Sequence, residues 1–381
     1  MVTLVNYGCQ KNAQSPISPK SVDSLNLISD SAKTLSINHF RIGVNRQGEL
    51  YNGNWTNDSS SIGVIFIAGL WIGMQQNGIA SGNIIEDGTY PQSNYTTNWI
   101  SQQGGVFMLD ANNAYRTTNW PIGLGAPVTT SGSPKVYGDE MCWSALTSDT
   151  TISTVTLLSQ PIRGLRVAEA LYAYTRSDLE DVVFIRYDIT NLTMTTWNNV
   201  YIGFYSDTDL GNAVANKTGY DSTRSLSYTY ENIPIDSLHR YVTGFTFLQL
   251  PKNVGTRTHR IMRKNNYIDP DFGEHTFTSP NQILYALQGL SNSGLPMTNP
   301  TTGQQTLFAF TGDPVTGAGW LDTPVDVRSL LASAPFSINS GETVTVTVAG
   351  AVSDGVSLAD ALNKLKSEID QVRTNITLWQ P

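Results

Sequence analysis

Three aspartates stand close together in the stretch YSDTDLGNAVANKTGYD, residues 205–221, directly after a run that reads as a buried strand. Hard cations such as Ca²⁺ take about six to eight oxygens, which clustered carboxylates and the backbone carbonyls of a turn can supply. Asp207, Asp209 and Asp221 are therefore candidate calcium ligands. The competing reading is a hydrated turn whose aspartates bond local amides. An EF-hand is excluded, because the positions that need an oxygen-bearing side chain, a glycine and a glutamate hold Gly211, Asn212 and Thr218.

Catalytic carboxylates are harder to find. Glycoside hydrolysis needs one acid shielded enough to stay protonated and a second carboxyl across a cleft. The segment GDEMCW offers Asp139 and Glu140 ahead of Trp143, without a clear partner. No G-x-S-x-G elbow, P-loop or G-x-G-x-x-G motif is present. His39, His239, His259 and His275 are scattered without ligand spacing, and Cys9 and Cys142 form no C-x-x-C pair, so a soft-metal centre is not expected. The two cysteines permit one disulfide or two thiols. The chain reads as non-catalytic, with glycoside hydrolase as the enzyme alternative.

Aromatic residues offer a binding chemistry instead. Trp55, Tyr90, Tyr95, Trp99, Tyr115 and Trp120 lie in segments rich in Asn and Thr, where exposed rings stack on sugars. Tyr95, Trp99 and Trp120 are the candidate ligand contacts. The alternative is that such rings are core or cross-strand pair residues.

These residues must be positioned by short strands. VIFIAGLWIG, residues 64–73, is a continuous apolar run with two glycines, as expected of a strand buried on both faces. In DVVFIRYDITNL, Val183, Ile185, Tyr187 and Ile189 face one way and Phe184, Arg186 and Asp188 the other. NNVYIGFYSD follows after a polar connection, and the two runs look like an antiparallel pair. In SGETVTVTVAGAV, Val344, Val346 and Val348 point inward and Thr343, Thr345 and Thr347 outward. Such alternation indicates an all-β fold, a large antiparallel β-sandwich.

The exception is the carboxyl end. Ser357 and Asp360 have capping-box spacing, and Leu358, Leu362, Leu365, Ile369, Val372 and Ile376 recur at spacings of four and three. This predicts one amphipathic helix, whose stripe either docks on the parent sheet or packs against a neighbouring subunit. The expected organisation is an extended arm over residues 1–34, a sandwich over 35–356 with a sub-domain boundary left open, and the helix with its tail over 357–381.

Composition bounds the partners. Charged residues are 14% of the chain, against about 25% in an average soluble domain. A polar but weakly charged surface suits extracellular β-rich proteins, adhesins and subunits of assemblies. A net charge of −8 with a pI near 5.0 argues against nucleic acid. The basic cluster RTHRIMRK, residues 257–264, reads as an exposed hairpin or a subunit contact. No run of about 18 apolar residues spans a membrane. The start, MVTLVNYGCQKNAQSPISPK, is too short in its apolar part for a signal peptide, and Cys9 with its polar tether resembles a lipoprotein start, although Asn6 and the brevity of MVTLV oppose a lipid anchor.

Several segments together resemble a known family. LSINHFRIGVNRQGELYNG, IFIAGLWIGMQQNG, GDEMCW, DVVFIRYDITNLTMTTWNNVYIGFYSDTDLGNAVANKTGYDSTRSLSYTY, FTGDPVTGAGWLD and SAPFSINSGETVTVTVAGAV occur in an order similar to the amino-terminal region of large secreted proteins of Bacteroidota and Chlorobi-group bacteria. Those proteins commonly end in a type IX secretion sorting domain. The resemblance runs from about Leu35 to Ile376 and implies an extracellular or cell-surface β-rich module. Asp207, Asp209 and Asp221 match family positions, but further family acids are absent between Asn212 and Asn216. The expectation is a structural or adhesive surface protein, self-assembling into a filament or layer through the arm or the helix, with Ca²⁺ as its one candidate cofactor. The alternative is a carbohydrate-binding module with glycan partners.

Overall fold

The inward residues Val183, Ile185, Tyr187 and Ile189 lie beside Val348, Val346 and Val344 on an adjacent strand and, with them, form the centre of the molecule. In the computed structural model, which describes residues 31–57, 60–76, 79–83, 100–101, 105–110, 120–147, 162–263 and 279–380, they belong to one of two large antiparallel sheets. The first has nine strands. Its order is β1 (Ala32–Leu35), β2 (Phe40–Asn45), β3 (Leu50–Thr56), β4 (Ser61–Gln76), β11 (Trp197–Asp207), β18 (Val327–Ser333) and β15 (Thr256–Arg263). Strand β5 (Ile79–Asn83) pairs with β4, and β19 (Phe336–Ile338) with β11.

The second sheet also has nine strands. It runs β12 (Asn216–Asp221), β13 (Leu226–Glu231), β14 (Arg240–Gln249), β20 (Thr343–Gly355), β10 (Val182–Asn191), β9 (Leu165–Ala173), β8 (Glu140–Thr147) and β6 (Ile100–Ser101), with β7 (Phe107–Asp110) also on β8. A small ladder joins β16 (Met297–Thr298) to β17 (Gln305–Thr306). The inner faces of the two large sheets share one apolar core, in which the Phe204 and Phe245 rings meet at 4.9 Å across the interface. This is the β-sandwich that the alternation predicts.

Two expectations are corrected by the pairing. Ala32, Lys33 and Thr34 are not arm but, with Leu35, form a strand in register with Asn45 to Ile42, so the sandwich starts before residue 35; residues 1–30, Cys9 included, lie outside the described residues. Strands β10 and β11, adjacent in sequence, do not pair. β10 lies between β9 and β20 in the second sheet, while β11 lies between β4 and β18 in the first. Alternation fixes which face a residue takes and says nothing about which strand lies beside it.

Among the described residues two α-helices cover outer faces. Helix α1 (Pro280–Leu287) lies on the first sheet, where a Cβ at Gly73 or Gly203 would come within 2.6 Å of a Leu287 methyl. Gly73 of the apolar run and Gly203 of β11 thus admit a helix at close range. Helix α2 (Leu358–Thr374) starts where the capping residues predict, with Ser357 Oγ accepting the Asp360 N–H at 3.2 Å and Asp360 Oδ2 accepting the Val356 N–H at 3.1 Å. Its Leu362, Leu365, Ile369 and Val372 are buried on the second sheet among Phe184, Tyr172, Val242, Ala349 and Ala351, with Leu358 partly buried beside them. Each such burial is worth roughly 1.5–3 kcal/mol. The stripe is therefore internal, and these five residues are not an assembly surface. Ile376 falls beyond the helix, in a 3₁₀ turn, and is half exposed. No helix among the described residues is long and apolar enough to cross a membrane.

Candidate functional site

The aspartates after β11 come together with a partner that sequence spacing did not suggest. Carboxylate oxygens of Asp207, Asp209 and Asp326 lie within 4.8 Å of one another. Asp221 is not in this group: it ends β12 and pairs with Arg224 at 2.9 Å and Lys366 at 3.8 Å, against helix α2. Asp326 takes the third place because β18 runs beside β11, which sets Arg328 opposite Asp207. The Arg328 guanidinium pairs with Asp207 at 2.8 Å, both side chains being 1% exposed, and also pairs with Asp326. A buried cation of the chain's own thus meets two of the three carboxylates.

The basic segment 257–264 is not an exposed hairpin. Its described part is strand β15, in which Thr258, His259 and Arg260 are fully buried. Arg260 donates to the Leu290 carbonyl and to Asn292 Oδ1, each at 2.7 Å, and Arg263 pairs with Asp322 at 3.0 Å. His259 donates from Nδ1 to the Ala309 carbonyl at 2.9 Å and accepts from Ser227 at Nε2, and burial pushes its pKa down to about 4. These side chains fasten the segment 288–325 to the sheet edge.

Of the candidate ring contacts, Tyr95 and Trp99 lie outside the described residues. Trp120 is buried: its ring meets Trp143 at 5.8 Å and Phe107 at 6.4 Å, and its indole donates to the Pro127 carbonyl. It is a core residue and presents no stacking face.

Helix α2 leaves part of the outer face of the second sheet uncovered, and there the outward residues of β10, β20 and β14 form a polar strip. Arg186 and Asp188, two apart on β10, face the same way and are joined in a fork, Nε to Oδ2 at 3.1 Å and Nη2 to Oδ1 at 3.0 Å. Thr345, opposite Asp188 on β20, donates to Asp188 Oδ1 at 2.6 Å. Thr347 donates to Gln249 Oε1 at 3.3 Å, and Thr190 and Thr343 hydroxyls meet at 2.8 Å at the strip's end. The Tyr137 ring supports Arg186 from one side, 5.7 Å from centroid to guanidinium carbon. On the other side a depression of about 590 Å³ opens between Gln249, Lys252, Glu342, Thr345, Trp379 and Gln380. The sequence signal for this strip was the outward parity of Arg186, Asp188 and Thr345; the missing knowledge was where the helix stops covering them.

Two carboxyls are strongly shielded. Glu169 sits on the inner face of β9 between Ser144 and Tyr187 on neighbouring strands, with Gly48 of the β2–β3 turn above it, and burial pushes its pKa up to about 8. Glu368 of α2 accepts from Ser353 at 2.8 Å, and burial, with Asp181 and Asp354 nearby, raises it to about 8. Neither lies on the strip. Asp139 and Glu140 are spent on backbone: Asp139 accepts from the Thr175 amide and hydroxyl, Glu140 from the Ser36 amide.

No protein-family model matches the chain, and no curated protein matches it. Among solved structures, a bacterial glucoamylase complexed with acarbose is similar over 90% of this chain, at 7% identity and a TM-score of 0.41, and this chain spans 34% of that protein's length. A putative aldose 1-epimerase from Escherichia coli K12 aligns over 84% of this chain and 98% of its own, at 9% identity and a TM-score of 0.32. The Slr1438 protein of Synechocystis sp. PCC 6803 aligns over 86% and 99%, at 8% identity and a TM-score of 0.34. Likenesses at this level assign neither a family nor a function.

Proposed function

We propose that the protein is a non-catalytic adhesive module that grips a glycan along the uncovered outer face of its second sheet. The observation that carries this is the strip of Arg186, Asp188, Thr345 and Gln249 on three adjacent strands, the first three joined by their own hydrogen bonds and Gln249 held by the buried Thr347 hydroxyl beneath it. A sugar presents hydroxyls that donate and accept. A guanidinium donates, a carboxylate accepts, and amide and hydroxyl groups do both. Pre-ordering these groups lowers the entropy cost of binding. The adjoining depression gives the concavity that small-ligand sites use.

A binding rather than a hydrolytic role is supported by where the acids lie. Asp188 is an acceptor fixed by Arg186 and Thr345, whereas the shielded Glu169 faces the opposite side of the same sheet. A glycosidase needs its shielded acid and its second carboxyl across one cleft. An extracellular setting is supported by the weakly charged composition and by the resemblance to secreted surface proteins. Self-assembly through the terminal helix loses its main support, since that helix spends its stripe on its own sheet.

Screening the purified chain against an array of immobilised glycans tests the proposal. Binding to a restricted set of glycans, lost in Asp188→Ala, is the expected outcome. An array with no signal, or signal untouched by that replacement, contradicts it.

A further inference from the structure

His39 and Glu180 come from different sheets. His39 closes the connection between β1 and β2, and Glu180 with Asp181 closes the one between β9 and β10. Hydrogen bonds to the main chain already fasten these corners: His39 N–H donates to the Glu180 carbonyl at 2.8 Å, and the Asn38 side-chain amide donates from Nδ2 to the Val182 carbonyl at 2.8 Å.

The side chains above this junction are arranged in order. His39 Nδ1 lies 3.0 Å from Asp181 Oδ1, which also accepts the Trp55 indole N–H at 2.6 Å. Trp55 meets the imidazole edge-on at 6.1 Å. With Nδ1–H donated to the carboxylate, the neutral ring carries its lone pair on Nε2. Glu180 Oε2 stands 3.9 Å from that nitrogen, too far for a hydrogen bond. Two ligands on a tetrahedral ion with bonds of about 2.0–2.2 Å lie about 3.4 Å apart. Glu180 is 42% exposed and His39 32%, so a small rotation of the glutamate closes the gap. His39, Glu180 and Asp181 also form one of the donor groups whose ligand atoms all fall within 4.8 Å of one another.

We propose that His39 Nε2 and the Glu180 carboxylate bind a divalent cation of the zinc class, with Asp181 as the positioning residue that holds the imidazole. Imidazole with carboxylate suits Zn²⁺, Ni²⁺ or Cu²⁺ rather than Ca²⁺ or Mg²⁺. Water completes the coordination. A carboxylate behind a metal-binding histidine fixes the tautomer and strengthens the ligand. The bound ion staples the first sheet to the second at this pole of the sandwich, independently of what the outer strip holds.

The test uses the full chain without an affinity tag, stripped with a chelator and titrated with ZnCl₂ by calorimetry and by thermal melting. One Zn²⁺ per chain and a saturable rise in Tm are expected, with no rise on adding Mg²⁺. His39→Gln and Glu180→Gln each abolish both effects, read against the metal-free Tm of the same variant. Asp181→Asn, which still offers Trp55 an acceptor, weakens binding by about 10–100-fold. A wild-type chain that takes up no Zn²⁺ overturns the proposal, as do His39→Gln and Glu180→Gln variants that bind it with wild-type stoichiometry and affinity. Unchanged affinity in Asp181→Asn overturns the positioning role.

Discussion

Arg328 and Asp207 face each other from neighbouring strands, Nη2 2.8 Å from Oδ2, with 1% of either side chain exposed. Breaking a buried pair from one side leaves an uncompensated charge, at a cost of about 3–5 kcal/mol. Arg328→Met strands Asp207 and Asp326 together and should cost that much in urea-induced unfolding. Asp207→Asn should cost less, because Asp326 still pairs with the guanidinium. Equal losses would show that the two carboxylates do not share Arg328 in this way.

Arg328 also bears on calcium. The cation next to Asp207 and Asp326 is already part of the chain, and Asp221 is engaged with Arg224 and Lys366. Adding millimolar CaCl₂ to the chelator-stripped chain should leave the Tm unchanged, since a ligand stabilises only the state that binds it. A saturable rise with Ca²⁺ that Asp209→Asn removes would restore the strand-end loop as a calcium site.

Glu169 and Glu368 make stability depend on pH in a definite direction. Their folded pKa values are raised to about 8 from an ordinary 4.5. Below about pH 4.5 both states hold the proton and the stabilisation is complete. Between there and about pH 8 the unfolded chain releases protons that the folded one keeps, so each group lowers stability by about 1.4 kcal/mol per pH unit. Glu169→Gln should flatten the fall between pH 5 and pH 8 relative to wild type. Parallel profiles for the two proteins would show that Glu169 is not held protonated.

The apolar stripe of helix α2 is internal. Leu365 is fully buried beneath it, and Leu365→Ala should cost about 2–5 kcal/mol without altering the oligomeric state of the folded fraction in gel filtration. Dissociation of an otherwise stable oligomer by this replacement would return the stripe to a subunit interface.

The sequence made the faces legible and the neighbours illegible. Val344, Val346 and Val348 announce their inward direction by alternation, and Ser357 with Asp360 announces a helix start, because both signals are local. That β10 and β11 belong to opposite sheets depends on partners up to about 160 residues away, such as Thr343 opposite Thr190, and no local pattern carries it. For the same reason the segment 257–264 looked solvent-exposed: Arg260 and Arg263 are held by Leu290, Asn292 and Asp322, which lie about 30–60 residues downstream. The aspartate cluster was half legible. Asp207 and Asp209 share a strand end, whereas Asp326 reaches them only through the β11–β18 pairing. Arg186, Asp188 and Thr345 were visible as outward residues, but their accessibility is set by where α2 ends and where the segment around Tyr137 lies.

The central claim is that the strip of Arg186, Asp188, Thr345 and Gln249 holds a glycan. Calorimetric titration of one soluble glycan selected on the array, into wild type, Gln249→Ala and Leu365→Ala, tests it most directly. One site in wild type, at least a tenfold loss of affinity in the folded fraction of Gln249→Ala, and wild-type affinity in the folded fraction of Leu365→Ala are expected. Full affinity in Gln249→Ala, together with Asp188→Ala, would contradict the claim and place binding elsewhere on the molecule.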